Sequence, residues 1–221
     1  MDTAERKRRP LRKDALHNRQ LIIEAARELF ATHGLETGHN EVAQHAGVGV
    51  GTIYRRFPTK QSLMDAIFED GIDEIAALAE AALSREDSWH GLLFFIDELC
   101  ARTARDRGLR EAIFRRADGG DRIEAARLRL DPLLAKVVDR ARADGHLRPT
   151  IDPTDMPFVS IIAGAVTEFA GGFQPEMWRR YVAILLDGMR TRPGQLALPV
   201  EAPTAEQLNE AMRNRDAASR R

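Results

Sequence analysis

Apolar positions along this chain recur every three or four residues almost from end to end, a period that predicts helices rather than strands. Ile22, Ala25, Ala26, Leu29 and Phe30 make a first stripe, closed by Gly34. Val42, Ala43 and Ala46 then share one face of a helix of less than two turns, and Gly47 stands where a left-handed or tightly turned residue would end it. From Val50 the period resumes, with Ile53 and Phe57 one turn apart and facing inward while Thr52, Tyr54, Arg55 and Arg56 fall on other faces. Pro58 stops that helix, Thr59 supplies a cap and Lys60 opens the next.

Leu63, Ile67, Ile75 and Leu78 carry the period from about Thr59 to Leu83, a helix long enough to serve two domains and to act as a lever between them. Trp89, Leu92, Leu93, Ile96, Leu99 and Cys100 follow at helical spacing, and Phe94 and Phe95 widen the apolar face until this helix reads as central. Further helices are expected near Gly108 to Arg116 and from Asp121 to Asp144, the latter bent at Pro132 and ended by Gly145. Two apolar helices close the domain, one after Asp152 to Asp155 running through Phe158 to Phe169, the other after Pro175 through Trp178 to Met189. Thr204 and Gln207 have capping-box spacing and predict a short exposed helix in the polar tail. No alternating run of β-branched residues is bounded by hairpin turns, so the fold class is all-α.

The helix, glycine turn and helix between Asn40 and Lys60 has the layout of a DNA-reading helix-turn-helix, although ordinary helical corners share that geometry and spacing alone does not choose. At these residues the chain resembles a family. Ala46-Gly47-Val48, Gly51-Thr52-Ile53-Tyr54, Phe57 and Lys60 are similar to the signature of the TetR (TetR/AcrR-type) bacterial transcription regulators, and Leu21 to Leu35 resembles that family's first helix and following loop. The resemblance covers roughly residues 15 to 68 without gaps. Two departures stand out. Gly49 opens the second short helix where such proteins usually carry Ser or Thr, which removes a side-chain cap at a cost of a few tenths of a kcal/mol. Gly38, His39 and Asn40 stand where the family often begins its second helix with Thr and an aliphatic residue.

The resemblance implies an all-α protein with an N-terminal three-helix helix-turn-helix DNA-binding domain and a C-terminal helical ligand-binding and dimerisation domain. The boundaries expected are a basic arm over 1–14, the DNA-binding domain over 15–60, the ligand and dimer domain over 61–192, and a tail over 193–221. It further implies a homodimer on a pseudo-palindromic operator in double-stranded DNA, most simply a repressor, released by a small apolar or amphipathic effector. Thr52, Tyr54 and Lys60 match positions that commonly hold the phosphate backbone, while Val50, Gly51 and Arg56, with His39 and Asn40, occupy positions that approach base edges. Arg55 belongs to the same interface, and Arg56 is the strongest specificity candidate because arginine bonds guanine bidentately.

Charge agrees with a nucleic-acid-facing end. The net charge is −1 over 221 residues, yet residues 1–60 hold 11 Lys and Arg against 7 Asp and Glu. Arg6, Lys7, Arg8, Arg9, Arg12 and Lys13 crowd the start, as in an arm that follows the DNA backbone or enters the minor groove, or in a solvated tail. With Cys100 as the one cysteine, an intrachain disulfide is excluded and a reducing, cytoplasmic compartment is expected. No apolar run approaches the ~18 residues of a membrane span.

Enzyme chemistry finds little footing. The six histidines are scattered without metal-ligand spacing, and no nucleophile elbow or phosphate loop is present, so neither metal nor cofactor is expected. Asp152 and Asp155 flank a helix start, where carboxylates meet backbone N–H groups. For the effector, Trp89, Phe94, Phe95, Phe114, Phe158, Phe169 and Trp178 are available to line a pocket, with Arg115 or Glu168 as polar anchor, though aromatics at this spacing serve a core equally well. Ile162, Val166, Tyr181 and Leu185 offer more apolar surface than one helix pair hides, either as core or as half of a four-helix dimer bundle. On residues alone two other functions stay open: an all-α enzyme or binding protein with a vestigial helix-turn-helix, and a transcriptional activator.

Overall fold

The computed structural model describes residues 17–30, 33, 37–105 and 121–218. Its elements are α1 (residues 17–30), α2 (His39–His45), α3 (Val50–Arg56), α4 (Lys60–Leu83), α5 (Ser88–Arg105), α6 (Asp121–Ala143), a 3-10 turn at Pro153–Asp155, α7 (Met156–Ala170), α8 (Met177–Met189) and α9 (Ala205–Ala218). Among the described residues no strand forms, and one antiparallel bridge joins Leu147 to Arg190. The helix expected near Gly108 to Arg116 lies outside the described residues. The chain divides into two compact units, Met1–Phe68 and Glu69–Arg221, the division falling within α4.

In the first unit Ile22, Ile23, Ala26, Val42, Ala43 and Ile53 are fully buried and Leu63 nearly so, which makes a small core from all four helices. The corner between α2 and α3 depends on Gly47, whose φ of 65° is open to glycine and costly for residues with a Cβ. With Gly47 left-handed, its N–H reaches the Gln44 carbonyl at 3.2 Å and the Val48 N–H reaches Ala43 at 3.0 Å, the paired closure of a Schellman motif. Thr59 then caps α4, its Oγ1 accepting from the Ser62 N–H at 3.0 Å while Ser62 Oγ accepts from the Thr59 N–H at 3.2 Å.

In the second unit α5 is central, with Leu92, Phe95, Ile96 and Cys100 fully buried. Gly91 lets α5 lie close to the end of α4: a Cβ there would sit 2.6 Å from the Ala82 carbonyl oxygen. Arg140 of α6 fastens the same place, donating to the carbonyls of Leu83 at 2.8 Å and Glu86 at 2.6 Å and so satisfying groups the end of α4 leaves unpaired. α6 runs through Pro132 and is closed by Gly145 at φ 77°. Asp152 and Asp155 form a capping box at the 3-10 turn, Asp152 accepting from the Thr154 N–H at 3.0 Å and Asp155 from the Asp152 N–H at 2.9 Å, a structural use of both carboxylates.

α7 begins two residues ahead of the Phe158 where its apolar run was expected to start, because Met156 belongs to its buried face. That face comprises Met156, Val159, Ser160 and Ala163, whereas Trp178, Val182 and Leu186 form the buried face of α8. The tail helix is longer than expected at fourteen residues, and Thr204 and Gln207 do close its start, at 2.9 and 3.2 Å. No described helix is long and apolar enough to cross a membrane.

Candidate functional site

α3 is anchored from one side and presented on the other. Ile53 is fully buried and Phe57 almost so, while round the helix from them Val50 is 47% and Tyr54 48% exposed and Gly51 is open to solvent. An exposed valine, glycine and tyrosine in line along one helix face are of no use to the fold's own core. Gly51 is the clearest case, since a Cβ built there meets nothing within 4 Å and its φ is not positive. Packing and backbone geometry among the described residues therefore do not require glycine at this position. The N-cap Gly49 has no side chain to cap α3, and the Thr52 N–H closes the first turn on the Gly49 carbonyl at 2.8 Å.

Around that face lie the other residues expected at a DNA surface. Asn40, Arg55 and Arg56 are exposed, Thr52 and Lys60 half-buried. His39, expected to approach base edges, has contacts within the protein. Its ring stacks on Tyr54 with centroids 4.9 Å apart and planes 13° from parallel, and its Nε2 lies 2.9 Å from the Phe57 carbonyl oxygen. It holds the tyrosine in place and closes the end of α3. Sequence spacing could not show this, because the partners lie fifteen and eighteen residues downstream.

The second unit contains a cavity of about 250 Å³, walled by Ile75 of α4, Phe95 and Leu99 of α5, Leu130 and Leu134 of α6 and Met156 of α7. Ser160, Thr154, Arg127, Asp131 and Asn209 bring polar groups to it. Ser160 is also 3.2 Å from the buried Thr103 hydroxyl, which lies 3.0 Å from the Leu99 carbonyl oxygen. Below it, burial pushes the Cys100 thiol from 9.0 up to about 12, so the cysteine stays protonated and unreactive at neutral pH.

Of the aromatics proposed for a pocket, Phe95 lines this cavity and the others described do not. Trp89 is buried elsewhere, under the Arg190 guanidinium at 4.7 Å, and Phe94 lies beneath Arg85 at 3.9 Å. Trp178 belongs to the core, while Glu168 is exposed. Phe158 and Phe169, expected inside, are 41% and 87% exposed; with Met156, Ser160 and Ala163 turned inward, the 100° step of the helix turns them out. Phe114 and Arg115 lie outside the described residues. The apolar walls from α6 and the residues of α9 escaped sequence reading, since a cavity wall and a filled core share one spacing.

Phe158, Ile162 and Phe169 of α7, and Tyr181 and Ile184 of α8, are large apolar side chains left exposed on the second unit. Ile162 and Tyr181 thus lie on the outer surface, whereas Val166 and Leu185 are half-buried and Val166 packs partly against the core.

Comparison with known proteins matches both units. The family described as bacterial regulatory proteins, tetR family, matches residues 22–67, and that described as transcriptional regulator SbtR-like, C-terminal domain, matches residues 87–191. The crystal structure of the TetR transcription regulatory protein from Mycobacterium vanbaalenii is 30% identical over 82% of this chain and 100% of that one, with a TM-score of 0.61. The regulator FadR from Bacillus subtilis, in complex with stearoyl-CoA, shares the fold at 20% identity and a TM-score of 0.59, over 76% of this chain and 96% of that one. An HTH-type transcriptional regulator of Staphylococcus aureus is 41% identical over 64 residues, which are 28% of this chain and 35% of that relative. With a reading helix presented by one helical unit and a second, cavity-bearing helical unit, the chain belongs to the TetR family of DNA-binding bacterial transcriptional regulators.

Proposed function

We propose that this regulator is a homodimeric repressor that holds a pseudo-palindromic operator and lets it go when a small, largely apolar molecule enters the cavity of its second unit. The observation that carries the effector reading is the cavity itself: about 250 Å³ walled mainly by aliphatic and aromatic side chains with a few polar groups, the composition of a small-molecule site. A volume just under the usual 300–1,000 Å³ range of ligand pockets favours a molecule far smaller than the stearoyl-CoA held by the Bacillus subtilis relative. The exposed apolar side chains of α7 and α8 support pairing with a second copy, since surface of this kind is costly to leave in water.

On DNA, Thr52, Tyr54 and Lys60 hold phosphates while Asn40, Val50, Gly51 and Arg56 face base edges and Arg55 adds charge; His39 orients Tyr54. Coupling runs along α4, which carries Leu63 in the first core and Ile75 on the cavity wall. An effector that prefers one setting of Ile75 biases α4, and that differential affinity appears as weakened operator binding. The deciding experiment is selection of bound sites from a random duplex pool by the purified protein, with sedimentation of the protein alone and on the selected site. An enriched inverted repeat bound by two chains supports the reading. Absence of any enriched sequence, or a monomer on a single half-site, would sink it.

A further inference from the structure

Both family matches end before α9, the last of them at residue 191, yet α9 reaches the cavity. Ala205, Leu208 and Asn209 line it on one side. We infer that α9 is the selective wall of this cavity: Leu208 limits how long an apolar ligand can be, and Asn209 favours a neutral ligand that carries a hydrogen-bonding group. The inference rests on the reading of the cavity as an effector site.

The tail is tied to the rest of the unit at its base, and the start of α9 is closed by its own capping box. Gln195 Nε2 donates to the Arg190 carbonyl at 2.7 Å, Arg148 donates to the Leu196 carbonyl at 2.5 Å, and the Thr204–Gln207 box closes the first turn of α9. Between residues 205 and 211 Leu208 is the one large apolar side chain, so it is the main hydrophobic contact by which this stretch can hold the cavity mouth. A fourteen-residue helix of this polarity is marginal on its own. Its order depends on what it packs against, and a filled cavity gives it more to pack against than an empty one.

The chemistry of the lining narrows the ligand. Among the described lining residues the charged ones are Arg127 and Asp131, which stand one turn apart on α6 and bring opposite charges to the wall. A charged headgroup would be attracted by one of these two and repelled by the other, and would still be desolvated. The Asn209 amide both donates and accepts, as does the Ser160 hydroxyl, so a ligand hydroxyl, carbonyl or amide is served from either side. The class is therefore a neutral amphiphile with a compact apolar body, for which straight-chain primary alcohols are the simplest stand-ins.

The test uses the full chain and the neutral fluorophore N-phenyl-1-naphthylamine, displaced by primary alcohols from hexanol to dodecanol and by decanoate and decylamine. The wild type should show an optimum chain length and bind the two ions at least about tenfold more weakly than decanol. Leu208→Ala should move the optimum to longer alcohols by about two or three methylenes, the volume removed, and Leu208→Trp to shorter ones. Opposite shifts of this kind do not arise from general destabilisation. Asn209→Leu should lower decanol affinity about fivefold, the worth of one neutral hydrogen bond, with fluorophore binding retained. Amide exchange within α9 should slow when decanol is bound. If all three variants keep the wild-type length and headgroup preferences, α9 is not the selective wall although the cavity still binds ligand. If the wild type binds neither fluorophore nor any alcohol, the effector reading falls first and the inference with it.

Discussion

Replacing Gly51 by alanine should raise the stability of the protein and lower its affinity for DNA. Within α3 the position has ordinary helical geometry, and the added Cβ meets no atom within 4 Å. The substitution therefore gains the helix preference of alanine over glycine, about 0.5–1 kcal/mol, without a packing cost. For a unit of this size that corresponds to a rise of roughly 2–8 °C in the Tm of the transition that unfolds the first unit. On DNA the sign reverses. Gly51 is the second residue of α3, and on the proposed reading, in which the N-terminal turn of α3 meets base edges, an added methyl group would hold the helix off the groove. Losing a single well-made base contact costs about 1–3 kcal/mol, so specific affinity should fall about tenfold or more. Differential scanning calorimetry and fluorescence anisotropy on a selected operator read the two effects from one preparation. A fall in Tm would show that the space around Gly51 is not open. Unchanged affinity beside a raised Tm would show that α3 does not approach DNA at Gly51.

Lys60→Ala should weaken binding to every DNA sequence alike and reduce the slope of log affinity against log salt by about 1; weakening confined to the preferred operator would refute a phosphate role. Gly91→Ala should destabilise the second unit by about 1–3 kcal/mol, because its Cβ would meet the Ala82 carbonyl oxygen at 2.6 Å; urea unfolding with an unchanged midpoint would contradict that close approach. Cys100 should resist iodoacetamide at pH 8 in the native protein and react promptly in urea, its thiol held up to about 12 by burial; equal rates in the two states would contradict it. The same shift fixes a stability window. Below pH 9 both states keep the proton, whereas from there to about pH 12 the unfolded chain loses it first, so the contribution of this thiol to stability declines across that range.

The reading head was legible in the sequence because its determinants are local. Gly47 with a positive φ, the closure of Val48 on Ala43, Ile53 and Phe57 one turn apart, and Thr59 at a helix start all lie within some twenty residues, where turn chemistry and helical period speak directly. The family resemblance added which exposed side chains matter. It could not foresee His39, which departs from the family pattern and is drawn onto Tyr54 and the Phe57 carbonyl. Local code names a helix face, and a partner on the next helix decides what a residue on that face does.

The second unit divides the other way. Periodicity alone determined that α5, α7 and α8 would be helices with one apolar side, and capping chemistry alone determined the turn at Asp152 and the start of α9. Which aromatic lines a cavity and which meets solvent was decided by tertiary packing. Phe95 reaches the cavity and Phe158 lies outside, although both occupy apolar helical runs. The cavity is bounded by side chains from α4, α5, α6, α7 and α9, and its size depends on how closely those helices approach. A helical period specifies the direction in which a side chain points. Whether that direction ends in another side chain or in a space left for a ligand depends on the distances between helices far apart in the chain, which only the folded structure holds.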